Sequence, residues 1–311
     1  AGQPEPPRYF AEMKRINREG PRVLGGFPRP RHLQEARLVE LMEGGALVVD
    51  TRSAADYAVE HVPGTINIPL NRSFNTWAGW LIPYDRDVYL IVDEHATAAT
   101  DEAVRDLAMI GLDRVAGYFT SRAVQAWKDE GRPLASVRQI TSAELAKRLN
   151  AGEVNVIDVR GAAEWEAGHL PDAPNIPVGY LADRLDEVPA DRPLVVHCQG
   201  GGRSAIAASV LQAHGFENVV NLTGGFGAWA ADGGAVVAGS TVSEGCVGRV
   251  GRVGRRCGQR RRVRHVHAAL RSRAVPGSIP RDRRQRVGAV CDRRRVPAHV
   301  IGGRCVFRAE R

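Results

Sequence analysis

Short apolar runs rich in β-branched residues alternate with helix-forming stretches along the first 240 residues of the chain. The clearest of these runs are Val88–Val92, Val154–Val159, Leu194–His197 and Asn218–Leu222. Their lengths are those of strands rather than of buried helices. Because the runs alternate with helical stretches, the sequence predicts an α/β fold with mainly parallel sheets.

Two helices are predicted from local patterns. A helix from about Leu33 to Met42 is predicted ahead of a strand at Ala46–Val49. Farther along, Thr141 and Glu144 have the spacing of a capping box, and apolar Ile140 precedes the cap. We therefore expect a helix to begin directly after Thr141.

The chain contains an internal repeat between residue 46 and about residue 230. Asp50, His61 and Asn67 each recur 108 residues later, and Trp127 recurs after 102 residues. The first copy therefore holds a few extra residues, which we place in the segment from 71 to 84. Copies of roughly 105 residues are of domain size, so two similar domains are predicted.

The net charge of +8 is unevenly distributed along the chain. Residues 241–311 hold 20 arginines, no lysine and 4 acidic residues, whereas the other 240 residues hold 23 basic and 31 acidic residues. The body of the chain is therefore mildly acidic, which disfavours nucleic acid as a partner. For residues 237–311 two interpretations stay open: a basic arm for RNA or acidic partners, or a low-order tail produced by a frameshift. The use of arginine over lysine, typical of GC-rich coding, favours the second.

Cys198 is the first cysteine of the chain, and the other four lie beyond residue 240. The folded part can therefore hold no internal disulfide, which fits a reducing, cytoplasmic location. No apolar run approaches the length of a membrane span, so no membrane partner is expected. Because the chain begins with Ala1 rather than Met, we expect it to be a processed product or a piece of a longer protein.

The strongest candidate for chemistry is the segment Cys198-Gln199-Gly200-Gly201-Gly202-Arg203-Ser204, which follows an apolar run and precedes good helix formers. A strand–loop–helix of this kind directs backbone N–H groups and the positive end of a helix dipole at one sulfur, where they stabilise negative charge. Glycine at 200, 201 and 202 is expected to let these amides converge. Cys198 is therefore the predicted nucleophile, and residues 199–204 are the predicted substrate-binding loop.

These motifs resemble the rhodanese family of sulfurtransferases. The second copy carries its ordered set: Asp158-Val159-Arg160, Gly168-His169-Leu170-Pro171, Asn175-Ile176-Pro177, the Cys198–Arg203 loop and Leu222-Thr223-Gly224-Gly225-Phe226. The first copy resembles the same fold, but Asp93-Glu94-His95 follows the strand where a cysteine is expected. The resemblance implies two rhodanese-like domains, each a mainly parallel sheet flanked by helices. We expect an inactive domain at 31–135 that covers one side of a catalytic domain at 136–236.

The opening segment has a resemblance of its own. Residues 2–14 resemble the last helix of a metallo-β-lactamase-fold domain, which in some bacterial proteins precedes tandem rhodanese domains. Residues 1–30 are accordingly interpreted as the remnant of such a domain, and a persulfide dioxygenase of that fold is a candidate partner. The metal-binding His-x-His-x-Asp-His pattern of that fold is absent, and neither metal nor cofactor is expected.

The rhodanese resemblance implies a double displacement at Cys198. The thiolate takes a sulfane sulfur from thiosulfate or a low-molecular-weight persulfide, and a thiol, sulfite or cyanide then removes it. Four residues separate Cys198 from Arg203 where related cysteine phosphatases have five, which disfavours phosphatase chemistry. Mercaptopyruvate sulfurtransferases have Gly-Val-Thr where this chain has Gly201-Gly202-Arg203, so mercaptopyruvate is a weaker candidate for the donor. Two interpretations of Arg203 stay open: it attracts an anionic donor, or it only pins the loop to a carboxylate.

Other conspicuous residues are interpreted as structural. We expect Asp158 and Arg160 to pair with each other or with nearby backbone, since their counterparts persist in the copy without a thiol. His197 should point away from Cys198 on an alternating strand. Scaffold or packing roles are expected for His169, Trp165 and Trp229.

Three functions from different classes remain open. The first is a single-site sulfurtransferase. The second is a sulfur-carrier or regulatory module that accepts persulfide from a partner enzyme and turns over little by itself. The third is a structural pair whose loop binds an anion, and the intact Cys198 and Arg203 argue against it for the second domain.

Overall fold

The computed structural model describes residues 9–20, 23–96, 98–238, 299–301 and 304–306. Two units divide the chain, Ala1–Gly245 and Cys246–Arg311. Within the second unit, β10 (His299–Ile301) and β11 (Arg304–Val306) form an antiparallel pair. Apart from those strands and the first two residues, the low order predicted for 237–311 concerns residues outside the described part. Val237 pairs with His169 and so belongs to the fold of the first unit.

The first domain is a parallel sheet flanked by helices. Its elements are α1 (Tyr9–Glu19), β1 (Arg31–His32), α2 (Ala36–Glu43), β2 (Leu47–Asp50), α3 (Ala54–Val59), β3 (Ile66–Asn67), α4 (Phe74–Leu81), β4 (Val88–Val92), α5 (Ala99–Met109), β5 (Val115–Thr120) and α6 (Arg122–Asp129). The strand order is β1-β5-β4-β2-β3, and each neighbouring pair is parallel.

The second domain repeats this arrangement. Its elements are β6 (Arg138–Ile140), α7 (Ser142–Asn150), β7 (Asn155–Asp158), α8 (Ala162–Ala167), two 3₁₀ helices (Val178–Asp183 and Leu185–Glu187), β8 (Leu194–His197), α9 (Gly202–Ala213), β9 (Val219–Leu222) and α10 (Gly225–Ala231). The order β6-β9-β8-β7 is again parallel throughout. The predicted α/β class with parallel sheets is confirmed. No helix in the described ranges combines the length and apolarity that a bilayer crossing requires.

Most predicted boundaries agree with the structure to within one residue, while one helix start and one cap differ for local reasons. The helix predicted from Leu33 begins at Ala36, because the backbone N–H of Leu33 donates to Tyr118 and continues the β1 pairing. Thr141 accepts from the backbone N–H of Glu144 at 3.3 Å, as predicted. The reciprocal half of the predicted capping box is absent, since the Glu144 carboxylate accepts from Arg148 instead.

The two domains share one buried apolar cluster. It extends from first-domain residues such as Val49 and Phe74 to Val196 and Val219 of the second domain. Each domain also has its own cluster on the opposite face of its sheet. The domains are therefore held together by continuous core packing rather than by a polar surface contact.

Helix α9 is the central element of this shared interface. The backbone N–H of Asn67 donates to the Ser209 hydroxyl on α9 at 2.9 Å, and Gln212 donates to the carbonyl of Ser136. On the other side of the interface, the Trp80 ring meets the Tyr180 ring edge to face at 5.0 Å. Trp80 lies on α4, inside the segment where we placed the extra residues, whereas the second domain has 3₁₀ helices there.

The opening helix α1 packs on the first domain. An added Cβ at Gly79 of α4 would lie 2.6 Å from the Tyr9 ring, so the ring rests directly on that glycine. Residues 1–8 fall outside the described part of the chain. The derivation of this segment from a metallo-β-lactamase-fold domain stays a prediction.

Candidate active site

The strand β8 and the helix α9 position Cys198 between them. Every residue of β8 is buried, and Cys198 follows directly with only 1% of its surface exposed. The chain then turns at Gly201, whose φ of 100° lies in the left-handed region, and enters α9 at Gly202. Only glycine adopts such a φ without strain, so this turn explains the glycine at 201.

The Cys198 sulfur lies close to polar groups of its own loop. The backbone N–H of Gly201 donates to Sγ at 3.1 Å, and the Ser204 hydroxyl lies 3.5 Å from Sγ. That hydroxyl also lies 3.0 Å from the carbonyl oxygen of Gly201. The sulfur thus sits at the N-terminus of a twelve-residue helix with donors facing it.

Of the three glycines predicted to need unusual backbone angles, only Gly201 has one. Gly200 and Gly202 have no left-handed φ, and an added Cβ at either would meet nothing within 4 Å. Both residues instead line the cavity above the sulfur. Their missing side chains keep the approach to Cys198 open, whereas the backbone requirement falls on Gly201.

A second glycine turn, for which the sequence predicts no role, packs against the backbone of the loop. Gly225 has a φ of 59°, and an added Cβ there would overlap the carbonyl oxygen of Cys198. The next N–H, that of Phe226, donates to this same carbonyl at 2.7 Å, and the Gly227 N–H donates to Gln199 at 3.0 Å. The start of α10 therefore fixes the position of the loop backbone at Cys198 and Gln199.

Arg160 ties the loop to the sheet. It is buried and forms three bonds of 2.6 to 3.0 Å with the carboxylate of Asp158, which confirms the predicted pairing. Its Nη1 also donates to the Gln199 side chain at 3.3 Å, and its guanidinium lies 4.0 Å from the Phe226 ring centroid. The interpretation of this pair as structural holds, and the pair also orients Gln199 next to Cys198.

Arg203 forms a two-bonded ion pair with Glu164 of α8. Its two terminal nitrogens donate to the two carboxylate oxygens at 2.6 and 2.8 Å. Glu164 raises the pKa of Arg203, and the nearby Cys198 sulfur acts in the same direction. In turn, Arg203 lowers the pKa of Glu164. The interpretation in which Arg203 pins the loop to a carboxylate is confirmed, and attraction of an anionic donor stays a prediction.

His197 lies on the opposite face of β8 from Cys198, as predicted. Its Nε2 is 3.7 Å from Asp158, and its ring stacks towards Phe226. Both ring nitrogens lack a hydrogen-bond partner in the described structure, and the ring is fully buried. Burial lowers the pKa of His197, so the ring is neutral.

The remaining residues with predicted structural roles make the contacts of a scaffold. His169 stacks on Trp165 at 3.6 Å and bonds to its carbonyl, while Trp229 donates to the carbonyl of Ala235. In the first domain, Tyr57 and His61 stack in the same way at 3.7 Å. These contacts occur with and without a thiol, so they serve the fold.

The first domain forms the wall opposite Cys198. Asp50 pairs with Ile91 and Asp158 with His197, so the sheet register gives Val92, rather than Asp93, the place of Cys198. The loop after β4 lines a cavity of about 1000 Å³ that also contains Cys198 and Arg203. The expectation that the first domain covers one side of the site is confirmed. Among the described residues, no cluster of His, Cys, Asp and Glu could hold a metal ion.

The described part of the chain thus contains two α/β domains with parallel sheets and one candidate active site, the cavity that contains the Cys198 thiol. Residues 35–129 and 141–232 each match the rhodanese-like domain family. These segments cover more than half of the chain. The chain therefore belongs to the rhodanese-like domain family, with two such domains in tandem.

Similar proteins include sulfurtransferases and a regulator. A sulfurtransferase of Allochromatium vinosum is 39% identical over 103 residues, which are 33% of this chain and 96% of that protein. Thiosulfate sulfurtransferase GlpE of Shewanella oneidensis is 34% identical over 96 residues, which are 31% of this chain and 95% of that protein. An HTH-type transcriptional regulator of Mycobacterium tuberculosis is 54% identical over 61 residues, which are 20% of this chain and 27% of the regulator.

Proposed function

We propose that this chain is a sulfurtransferase that carries a sulfane sulfur as a Cys198 persulfide. The observation that carries the proposal is the bond from the Gly201 N–H to the Cys198 sulfur, in the lining of a cavity. Preorganised donors at such a position stabilise an anionic sulfur, which both the thiolate and the persulfide need. Membership of the rhodanese-like family and the sulfurtransferase relatives support the same chemistry.

The proposed reaction has two displacements. The Cys198 thiolate attacks the outer sulfur of thiosulfate, an S–S bond forms, and sulfite leaves with the electron pair of the broken bond. A thiolate or cyanide then attacks the outer sulfur of the persulfide and releases Cys198 as a thiolate. With a persulfide as donor, the leaving group of the first step is a thiolate instead of sulfite.

Each loop residue has a proposed role in these steps. Backbone groups of residues 199–204 surround the transferred sulfur, with Gly201 as its donor. The Ser204 hydroxyl, 3.5 Å from the sulfur, stabilises the same charge. Arg203, at the cavity lining, contacts the anionic end of a donor or the departing sulfite.

A sulfur-carrier role is the second candidate. Glu164 compensates the charge of Arg203, which would otherwise attract a dianion such as thiosulfate. A carrier would receive its sulfur from a partner enzyme, for which a metallo-β-lactamase-fold persulfide dioxygenase is our candidate. A free thiol at Cys198 fits either role in a reducing cytoplasm.

Intact-mass spectrometry after incubation with thiosulfate, and separately with glutathione persulfide, tests the proposal. We expect a gain of one sulfur atom that cyanide removes and that Cys198→Ser lacks. Faster loading from glutathione persulfide, with little turnover of thiosulfate, would favour the carrier role. No gain of sulfur from either donor would rule out both roles and leave an anion-binding loop.

A further inference from the structure

The cavity above Cys198 has two unlike halves. Its second-domain half consists of loop backbone, Arg203 and the first turn of α9. Its first-domain half is rich in side chains: Trp77 from α4, Asp93 and His95 from the loop after β4, and Glu102 from α5. The domain without a thiol therefore supplies most of the chemical groups that a bound molecule would meet.

The lining carries excess negative charge. Its two arginines are both compensated, since Arg52 bonds to Asp50 at 2.7 Å and Arg203 to Glu164. By contrast, none of the described basic residues forms an ion pair with the carboxylates that project from the first-domain wall. These are Asp93 and Glu102, which are both largely exposed to the cavity and solvent. A dianion gains little from such a wall, whereas a cation is attracted to it.

The aromatic ring in the cavity wall narrows the class of ligand. Trp77 is half-buried and offers a ring to an alkyl chain or an ammonium group. The cavity of about 1000 Å³ has room for an organic thiol beside Cys198. We propose that the first domain recognises the ammonium group of a small aminothiol or aminoalkyl persulfide through Asp93, Glu102 and Trp77, and so directs its sulfur to Cys198. This substrate class rests on the proposed sulfurtransferase function.

The charge preference of the wall can be measured without turnover. The two probes are 2-aminoethyl methanethiosulfonate, which is a cation, and 2-sulfonatoethyl methanethiosulfonate, which is an anion. Both carry the same thiol-reactive group. The Cys198 thiolate attacks the sulfur bound to the ethyl chain, a mixed disulfide forms, and methanesulfinate leaves with the electron pair. Mass spectrometry of the peptide that contains Cys198 follows each rate. We expect Asp93→Asn with Glu102→Gln to lower the ratio of the cationic to the anionic rate roughly fivefold.

A matched variant controls for nonspecific effects of charge removal. Asp101→Asn removes one charge next to Glu102 on α5. Both residues line a second cavity, between α5 and residues 24–30, but only Glu102 also lines the cavity above Cys198. We expect this variant to keep the ratio of the wild type. An unchanged ratio in the double variant, or an equal fall in Asp101→Asn, would overturn the proposal.

Turnover links this charge preference to substrate choice. Enzyme that already carries the persulfide is mixed with cysteamine or with 2-mercaptoethanol, and each variant is compared with the wild type for the same thiol. We expect kcat/KM for cysteamine to fall roughly fivefold in the double variant, while the value for 2-mercaptoethanol holds. We also expect Trp77→Leu to affect cysteamine more than 2-mercaptoethanol. Equal effects on both thiols would overturn the recognition role. Failure of the wild type to load sulfur at all would overturn the proposed function. The ratio of the two methanethiosulfonate rates would still decide whether the cavity wall prefers a cation.

Discussion

Glu164 combines two roles in one carboxylate. Its Oε2 accepts from the backbone N–H of Gly161 at 3.2 Å, which caps α8, and both of its oxygens bind Arg203. Arg203 in turn belongs to the loop that holds Cys198. One side chain therefore links the start of α8 to the charge next to the sulfur.

We expect Glu164→Gln to lower the KM for thiosulfate about threefold, because a negative charge beside Arg203 is removed while one acceptor oxygen is kept. The rate of persulfide formation against thiosulfate concentration gives this value. Glu166→Gln, an exposed change on the same helix, is the control and should leave KM unaltered. A higher KM in Glu164→Gln would show that the geometry of Arg203 outweighs its free charge.

Gly225→Ala should disturb the loop more than the fold. The added Cβ would overlap the Cys198 carbonyl, so the loop has to move, and small displacements of reacting groups cost up to about a hundredfold in rate. We expect persulfide formation to slow by that order. Gly233→Ala has a similar positive φ but meets nothing within 4 Å, and so it isolates the backbone strain. Equal rates in the two variants would contradict the proposed support of the loop.

At the scale of elements, α9 serves both the site and the interface. Its first turn borders Cys198, and two turns later Ser209 receives the backbone N–H of Asn67 from the first domain. This bond is buried, so neither group can exchange its partner for water. Movement of the first domain therefore bears on the helix that carries the sulfur loop.

Ser209→Ala is expected to lower the free energy of unfolding by about 1–3 kcal/mol, because the Asn67 N–H loses its acceptor while it stays buried. Urea denaturation measures this difference. Ser136→Ala, at an exposed residue of the same interface, serves as the control with an expected change near zero. If the free energy of unfolding changed as little in Ser209→Ala as in Ser136→Ala, the interface would have to relax and admit water.

Local patterns in the sequence predicted the helices and strands better than the contacts between them. Leu194–His197 and Val88–Val92 agree with the observed strands, because a continuous apolar run is visible within a few residues. The bond between Asn67 and Ser209 joins residues 142 apart and leaves no local pattern. The same holds for the acidic cavity wall, whose residues carry no motif. The contact of Gly225 with the Cys198 loop also has no local signal, because the sequence shows only the pair Gly224-Gly225.

At the scale of the whole molecule, buried histidines link stability to pH. His61 donates from Nδ1 to the carbonyl of Tyr57, and burial lowers its pKa to about 4. Burial also lowers the pKa of His197. Because both values lie below those of the unfolded chain, the unfolded state takes up more protons between pH 6.5 and 4. The stability from neutral burial is complete above about pH 6.5 and is lost as the pH falls towards 4.

We expect urea midpoints to fall between pH 7 and pH 4.5, and to fall less steeply in His61→Gln, which cannot titrate. The exposed His95 provides the control, since His95→Gln should retain the slope of the wild type. A slope in His61→Gln equal to that of the wild type would assign the pH dependence to carboxylates instead.

The shared core also sets the order of events on the ribosome. Residues as far apart as Val49 and Val219 belong to one cluster, so the first domain cannot finish its packing until most of the second has been synthesised. Nascent chains that stop before residue 194 should therefore expose apolar surface and be cut readily by protease, whereas chains released past residue 238 should resist. Early protection of the shorter chains would contradict this. Synthesis of this protein thus includes an interval in which its first half exposes apolar surface, and the speed of translation through its second half decides how long that interval lasts.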